Sequence, residues 1–199
     1  IPISEKYKKF ASQYRVDRKP MLIISPCSSQ RINNYRNWNP EYYAASIDHA
    51  HTKYDCKAIL TGSSTASEKE FGDHIVKYCK YKPTNLIGKT NIKELLAIIS
   101  ESDLLICPDS GPAHIATAVG TPVIGLYASS NPDRTGPYYD RELTINLYPL
   151  ACETFAKKSI DEMKWGERIR HPNVMNLIKL DQVIDRIDQA FKVIKQEFL

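Results

Sequence analysis

Four short apolar runs, MLIIS (21–25), KAILTG (57–62), DLLIC (103–107) and TPVIGLY (121–127), recur along the chain, with helical patterns between them. Each run is too short for a helix and is apolar throughout, which is the pattern of a strand buried on both faces. The intervening segments change period. EYYAASIDHAHTKY, entered at Asn39-Pro40, keeps Tyr43, Ile47 and Ala50 on one side, and SEKEFGDHIVKYCK keeps Phe71, Ile75 and Tyr78 there. After a short strand at NLIG (85–88), Asn91 caps a helix with Ile92, Leu95, Leu96 and Ile99 at helical spacing. GPAHIATAVG is a further helix, stopped by Gly120. Strand and helix thus alternate at least four times with short connections. That order requires parallel strands joined by right-handed crossovers, hence an α/β fold with a doubly wound, mostly parallel sheet.

The flanks are less regular. Residues 1–20 read as a linker with a short helix (Tyr7, Phe10, Ala11, Tyr14), and residues 21–199 as the domain proper. Residues 128–175 are irregular and polar, with four prolines. A closing helix over 181–197 carries Val183, Ile184, Ile187, Ala190, Phe191 and Ile194 on one side. With 42% apolar and 25% charged residues, this is a globular composition, and no run reaches the length of a membrane span. A net charge of +4 suits an anionic ligand but, without a clustered patch, does not point to nucleic acid. Five cysteines without C-x-x-C spacing read as reduced thiols of a cytosolic protein.

In such a sheet, ligands bind beyond the carboxyl ends of the strands. The loops there are SPCSSQRINNYRNW (25–38), TGSSTASE (61–68), CPDSGPAH (107–114) and YASSNPDRTGPY (127–138). Their hydroxyls, glycines and arginines offer donors to anionic oxygens, and helix N-termini add partial positive charge. Gly111 admits a ligand close to the backbone, and Pro112 suits a first helical turn. Asp109 would repel a phosphate, so sugar hydroxyls are its better partners. Capping of the helix by Asp109 or Ser110 is the plain alternative.

Other motifs fail. IGKT (87–90) has Pro83 where a P-loop needs glycine, and there is no G-x-G-x-x-G and no G-x-S-x-G elbow. His49 and His51 fall on different helix faces, and no cluster of metal ligands stands out.

Taken together, DSGPAHIATAVGTPVIGLYASSNPDRTGPY and SPCSSQRINNYRNWNPEYYAA resemble the bacterial heptosyltransferases of glycosyltransferase family nine, which add heptose to the lipopolysaccharide inner core. The first is similar to D-[ST]-G-x-x-H followed by T-P-V-x-x-L-[FY]-x-x-[ST]-x-P-x-R-T-G-P. The second is similar to a paired-hydroxyl loop with a basic residue before x-W-P. The resemblance is clear over 21–140 and loose beyond. It implies the Rossmann-like, C-terminal donor-binding domain of a two-domain GT-B enzyme, the N-terminal acceptor domain and its general base being absent here.

Carried over by motif, Ser28 and Ser29 correspond to the diphosphate-binding hydroxyls, and Arg36 stands where lysine is usual. Asp109 corresponds to the binder of donor-sugar hydroxyls, Ser110, Gly111 and His114 to the helix-start diphosphate site, and Glu68 to the ribose binder. Arg134 is the ligand candidate of the rim loop. The resemblance further implies an ADP-heptose donor, a lipopolysaccharide core acceptor, no bound metal or other cofactor, and no nucleic acid. It also implies a cytoplasmic location with peripheral association at the inner face of the inner membrane. Self-association through an uncovered stripe at Phe191 and Ile194 is a further expectation. Two alternatives keep the fold: a stand-alone sugar-nucleotide-binding module, or a sugar-nucleotide epimerase, which would need its own acid/base carboxylates.

Overall fold

The strand-forming runs sort their side chains by parity. Leu22 and Ile24 of β1 (Met21–Ile24) enter one core and Met21 and Ile23 the other, as period-two geometry requires. The computed structural model describes residues 1–15, 17, 19–28 and 34–197, with side chains as far as Val193. After α1 (Glu5–Ser12) and β1 come α2 (Pro40–Tyr54), β2 (Lys57–Leu60), α3 (Ala66–Tyr78), β3 (Thr84–Asn85) and α4 (Ile92–Ser100). Then follow β4 (Leu104–Pro108), α5 (Gly111–Val119), β5 (Val123–Tyr127), α6 (Pro132–Thr135), β6 (Ile145–Asn146), α7 (Tyr148–Ala151) and α8 (Leu180–Glu197).

The six strands form one sheet in the order β3-β2-β1-β4-β5-β6, every pair parallel. The chain winds outward from β1 to β3, then returns through α4 to place β4 against the other side of β1. Winding direction therefore reverses between β1 and β4, with Ile24 opposite Ile106. This is the Rossmann-like, doubly wound arrangement anticipated above.

Two cores sandwich the sheet. One joins α2, α3 and α8 to it through Tyr43, Ile47, Ile75, Val183, Ile187 and Phe191. The other joins α1, α4 and α5 through Ala11, Ala97, Ile98, Ile99, Ala113 and Ala116. Residues 5–12 are therefore packed on α4 as part of the body rather than strung out as a linker.

Several sequence expectations shift. β3 is regular only over Thr84–Asn85, although the Leu86 and Gly88 amides of NLIG still donate to the Leu60 and Gly62 carbonyls at 2.9 and 3.0 Å. Ile92 and Tyr78 are 65% and 50% exposed, so the apolar stripes of α4 and α3 are narrower than their periodicity. The irregular stretch supplies a sixth strand, β6, which pairs with the end of β5. Phe191 is buried and stacks on Tyr54 with ring centroids 4.7 Å apart, so α2 covers it; the Ile194 side chain lies outside the described ones.

Asp188 of α8 ties that contact together. Its carboxylate accepts from Lys53 Nζ at 2.6 Å, Tyr54 Oη at 2.8 Å and pairs with His49 Nε2 at 2.7 Å. Burial alone would push this acid up, but hydrogen bonds from Lys53, His49 and Tyr54 outweigh it and hold it at about 2. A folded value below the unfolded one means stabilisation that is complete above the unfolded value near 4 and is lost as pH falls toward 2. Asp188→Asn is expected to cost roughly 1–2 kcal/mol at pH 7, with the difference from wild type closing between pH 4 and 2 in urea unfolding.

Candidate functional site

Parallel pairing of β1 with β4 brings their trailing loops side by side, at the point where ligand crevices form in such sheets. The loop after β1 is shaped from within. Ser28 Oγ donates to Asn34 Oδ1 (2.9 Å), and Asn34 Nδ2 donates back to the Ser28 carbonyl (3.0 Å). The Arg36 amide shares Asn34 Oδ1 at 3.0 Å, and the Ser28 amide donates to Asn37 Oδ1 at 3.0 Å. The far end is pinned by Trp38, which is buried against Tyr42 and Tyr43 and donates its indole N–H to the Ile178 carbonyl at 3.0 Å.

These bonds among Ser28 and residues 34–38 place Arg36 so that it reaches across to β4. Its Nη1 donates to the Asp109 carbonyl at 2.9 Å and lies 3.3 Å from Asp109 Oδ2. A second guanidinium arrives from an unforeseen place, since Arg168 Nη2 also lies 3.3 Å from Oδ2. The Asp109 side chain is only 7% exposed, so a lone carboxylate there would be costly and the cations compensate it. Two guanidinia thus face one carboxylate at the carboxyl end of β4.

Immediately beyond, α5 begins. Asn39 and Asn91 cap the starts of α2 and α4 with their side chains, but Ser110 does not cap α5. Its hydroxyl turns back to the Pro108 carbonyl at 3.1 Å. Capping by Ser110 is thus ruled out; Pro112 carries no N–H and the Ala113 amide donates to the Ser110 carbonyl at 3.2 Å, so the Gly111 amide is the first-turn donor left without an acceptor among the described residues. A Cβ built on Gly111 meets nothing within 4 Å, so the space over the helix start is open, and His114 is exposed one turn along.

The remaining expectations are met unevenly. Ser28 is buried, and its hydroxyl is occupied in holding the loop; Ser29 lies outside the described residues. Glu68 sits buried in the first turn of α3 and accepts the Ser63 amide at 2.7 Å. Its Oε2 would lie 2.7 Å from a Cβ at position 62, which makes Gly62 the residue that admits it. Arg134 is exposed and packs beside Gly166. Burial pushes the thiols of Cys27 and Cys107 up to about 12, so neither is a nucleophile at neutral pH. Among the described residues, no group of three or more His, Cys, Asp or Glu is placed to hold a metal ion. Asn34, Asn37 and Arg168, which motif reading missed, complete the hydrogen-bond network around Ser28, Arg36 and Asp109.

The ends of β1 and β4 thus bring together a free Gly111 amide, open space over that glycine and two arginines on Asp109. Residues 1–165 match the model of glycosyltransferase family 9 (heptosyltransferase). The chain belongs to this family. Among similar proteins is the lipopolysaccharide core heptosyltransferase OpsX of Haemophilus influenzae, 39% identical over 187 residues, covering 94% of this chain and 53% of that protein. Lipopolysaccharide heptosyltransferase 3 of Escherichia coli is 35% identical over 111 residues, 55% of this chain and 31% of that protein. The chain spans about half the length, or less, of these curated relatives.

Among solved structures, the glycosyl transferase family 9 protein of Veillonella parvula superposes with a TM-score of 0.73 at 24% identity, over 96% of this chain and 52% of that one. Escherichia coli ADP-heptose lipopolysaccharide heptosyltransferase II gives 0.72 at 20% identity, over 99% and 54%. These structures share the fold of this family 9 chain.

The open space at position 111 separates folding from binding. Gly111→Ala is expected to leave the melting temperature unchanged or slightly raised, because alanine is the better helix former. The same methyl intrudes where a ligand would approach the α5 amides, so ligand affinity should fall at least about ten-fold in titration calorimetry.

Proposed function

We propose that this family 9 chain is the donor-binding domain of an inverting glycosyltransferase that takes ADP-heptose and passes heptose to the lipopolysaccharide inner core. The observation that carries this reading is the meeting of Arg36, Asp109 and the uncapped start of α5 at the strand-order reversal. In the reading, the diphosphate lies over the start of α5 at the Gly111 amide, with Ser110, His114 and the Arg36 guanidinium beside it. Asp109 accepts from the sugar hydroxyls, and Glu68 stands toward the ribose.

The chemistry follows from charge. An acceptor hydroxyl attacks the anomeric carbon, the bond to the nucleoside diphosphate breaks, and negative charge grows on the departing phosphates. Fixed amides and a guanidinium aimed at that charge are worth more in the transition state than in the ground state. No cofactor beyond the donor itself enters this reading. The general base that takes the acceptor's proton belongs, in this reading, to residues outside these 199. The acceptor, and a place at the inner face of the bacterial inner membrane, belong to the proposal for the whole enzyme. Among the described residues no helix is long and apolar enough to cross a membrane.

An epimerase would need carboxylates free to exchange protons. Here Asp109 is engaged by two arginines, and Glu68 holds the Ser63 amide. Neither is poised for that work.

Titration calorimetry with ADP tests the reading. Binding is expected, weakened about ten-fold or more by Arg36→Ala and less by Ser110→Ala. No detectable heat at millimolar ADP would reject it. The 199 residues alone are expected to bind donor yet transfer no heptose to a lipopolysaccharide acceptor, and robust transfer would reject the assignment of the base to residues elsewhere.

A further inference from the structure

The second arginine on Asp109 comes from a segment with no apparent motif, and its backbone is held independently of its side chain. On one side, Tyr148 Oη donates to the Glu167 carbonyl at 2.8 Å. On the other, the Ile169 amide donates to the Ser129 carbonyl at 2.9 Å, and Ser129 Oγ donates to the Ile169 carbonyl at 2.8 Å. Ile169 is buried as an apolar peg beside the tip of β5. Before it, Gly166 turns the chain at a φ of +85°, a conformation that disfavours a side chain. Position 168 is thus fixed across the end of β5, and its guanidinium reaches the carboxyl end of β4.

Both guanidinia meet the same oxygen. Oδ2 of Asp109 lies 3.3 Å from Arg36 Nη1 and 3.3 Å from Arg168 Nη2. These contacts are longer than the ~2.7–2.9 Å of an undivided charge-assisted bond, as expected when one oxygen serves two cations. Among the described residues, Oδ1 accepts no hydrogen bond. A carboxylate held through one oxygen has a defined plane, and its second oxygen is presented in a fixed direction.

We propose that Arg168 is a positioning residue for sugar recognition: with Arg36 it clamps Oδ2 of Asp109, so that Oδ1 is presented to a hydroxyl of the donor sugar. The proposal rests on the donor-site reading above and goes beyond it by assigning sugar selectivity, rather than nucleotide affinity, to a residue remote from the motif. With Arg168 gone, Asp109 keeps one cation and stays ionised, but its plane is free to turn about the single remaining contact. The nucleotide, held by α5 and Arg36, loses little. The sugar loses its oriented acceptor.

The test compares ADP with ADP-heptose by titration calorimetry on the wild-type chain, R168A, R168K, D109N and the D109N/R168A double variant, each first checked by thermal melting. The wild type is expected to bind the sugar nucleotide more tightly than ADP. R168A should lower that preference about ten-fold while ADP affinity stays within about three-fold of wild type. R168K, which keeps the charge but not the fork, should recover part of it. In the double variant the preference should be no lower than in D109N alone, since the two residues act as one unit.

A wild-type chain that binds neither ligand overturns the donor-site reading and the clamp together. Binding of ADP with no gain from the sugar overturns the clamp and leaves the nucleotide reading standing. An unchanged preference in R168A, or effects of D109N and R168A that simply add, overturns the clamp alone. Were R168A to melt early, R168K and the additivity of the pair would still decide the matter.

Discussion

A carboxylate nearly removed from water, at the end of a central strand, is the constraint around which this crevice is organised. Asp109 cannot remain ionised there without compensation, and the nearest cations must come from other loops. Arg36 therefore couples the β1 loop to β4, and Arg168 couples the post-β6 segment to the same point. The Asn34 knot, the Trp38 anchor and the Ser129–Ile169 pairing each make sense as devices that bring those guanidinia to one oxygen. Three loops distant in sequence thus share one electrostatic centre. That centre lies two residues before the start of α5 at Gly111.

What could be foreseen from the residues divides along a physical line. The strands β1, β4 and β5, buried throughout, and β2, buried at Ile59 and Leu60, were legible because short apolar runs of that length have few other uses. Their order followed from alternation and crossover handedness, and the position of the crevice followed from the order. β6 was not legible: two residues whose pairing with β5 is decided by tertiary placement carry no period. Ile92 and Tyr78 were misjudged for a related reason, since periodicity gives the direction of a stripe but not how far the partner surface extends.

The site shows the same division more sharply. That Asp109, Ser110, Gly111 and Arg36 lie together at the strand ends was legible because motif spacing and strand-end position agree on them. Arg168 was missed because nothing local marks it; its importance is a contact across 59 positions of sequence. The Ser28 hydroxyl was credited with ligand contact, whereas in the fold it closes a hydrogen bond with Asn34. Hydroxyl-rich loops are ambiguous in this way. The same group that can hold a phosphate can instead hold the loop that does, and only the three-dimensional partners distinguish the two.

Ser110 illustrates how the fold resolves that ambiguity in the other direction. Serine at a helix start ordinarily accepts from the second or third amide and so removes a donor from the surface. Here the hydroxyl donates back to Pro108, an arrangement that forgoes the capping stabilisation at this end of α5. Gly111 likewise forgoes the propensity of alanine where a methyl group would touch nothing. Neither choice strengthens the helix, and both leave the Gly111 amide uncovered, two residues beyond a carboxylate that two guanidinia face. Ser4 of α1 and Thr65 of α3 likewise form no side-chain cap, so what sets α5 apart is that its uncapped start coincides with the open space over Gly111, a combination that suits an anionic ligand.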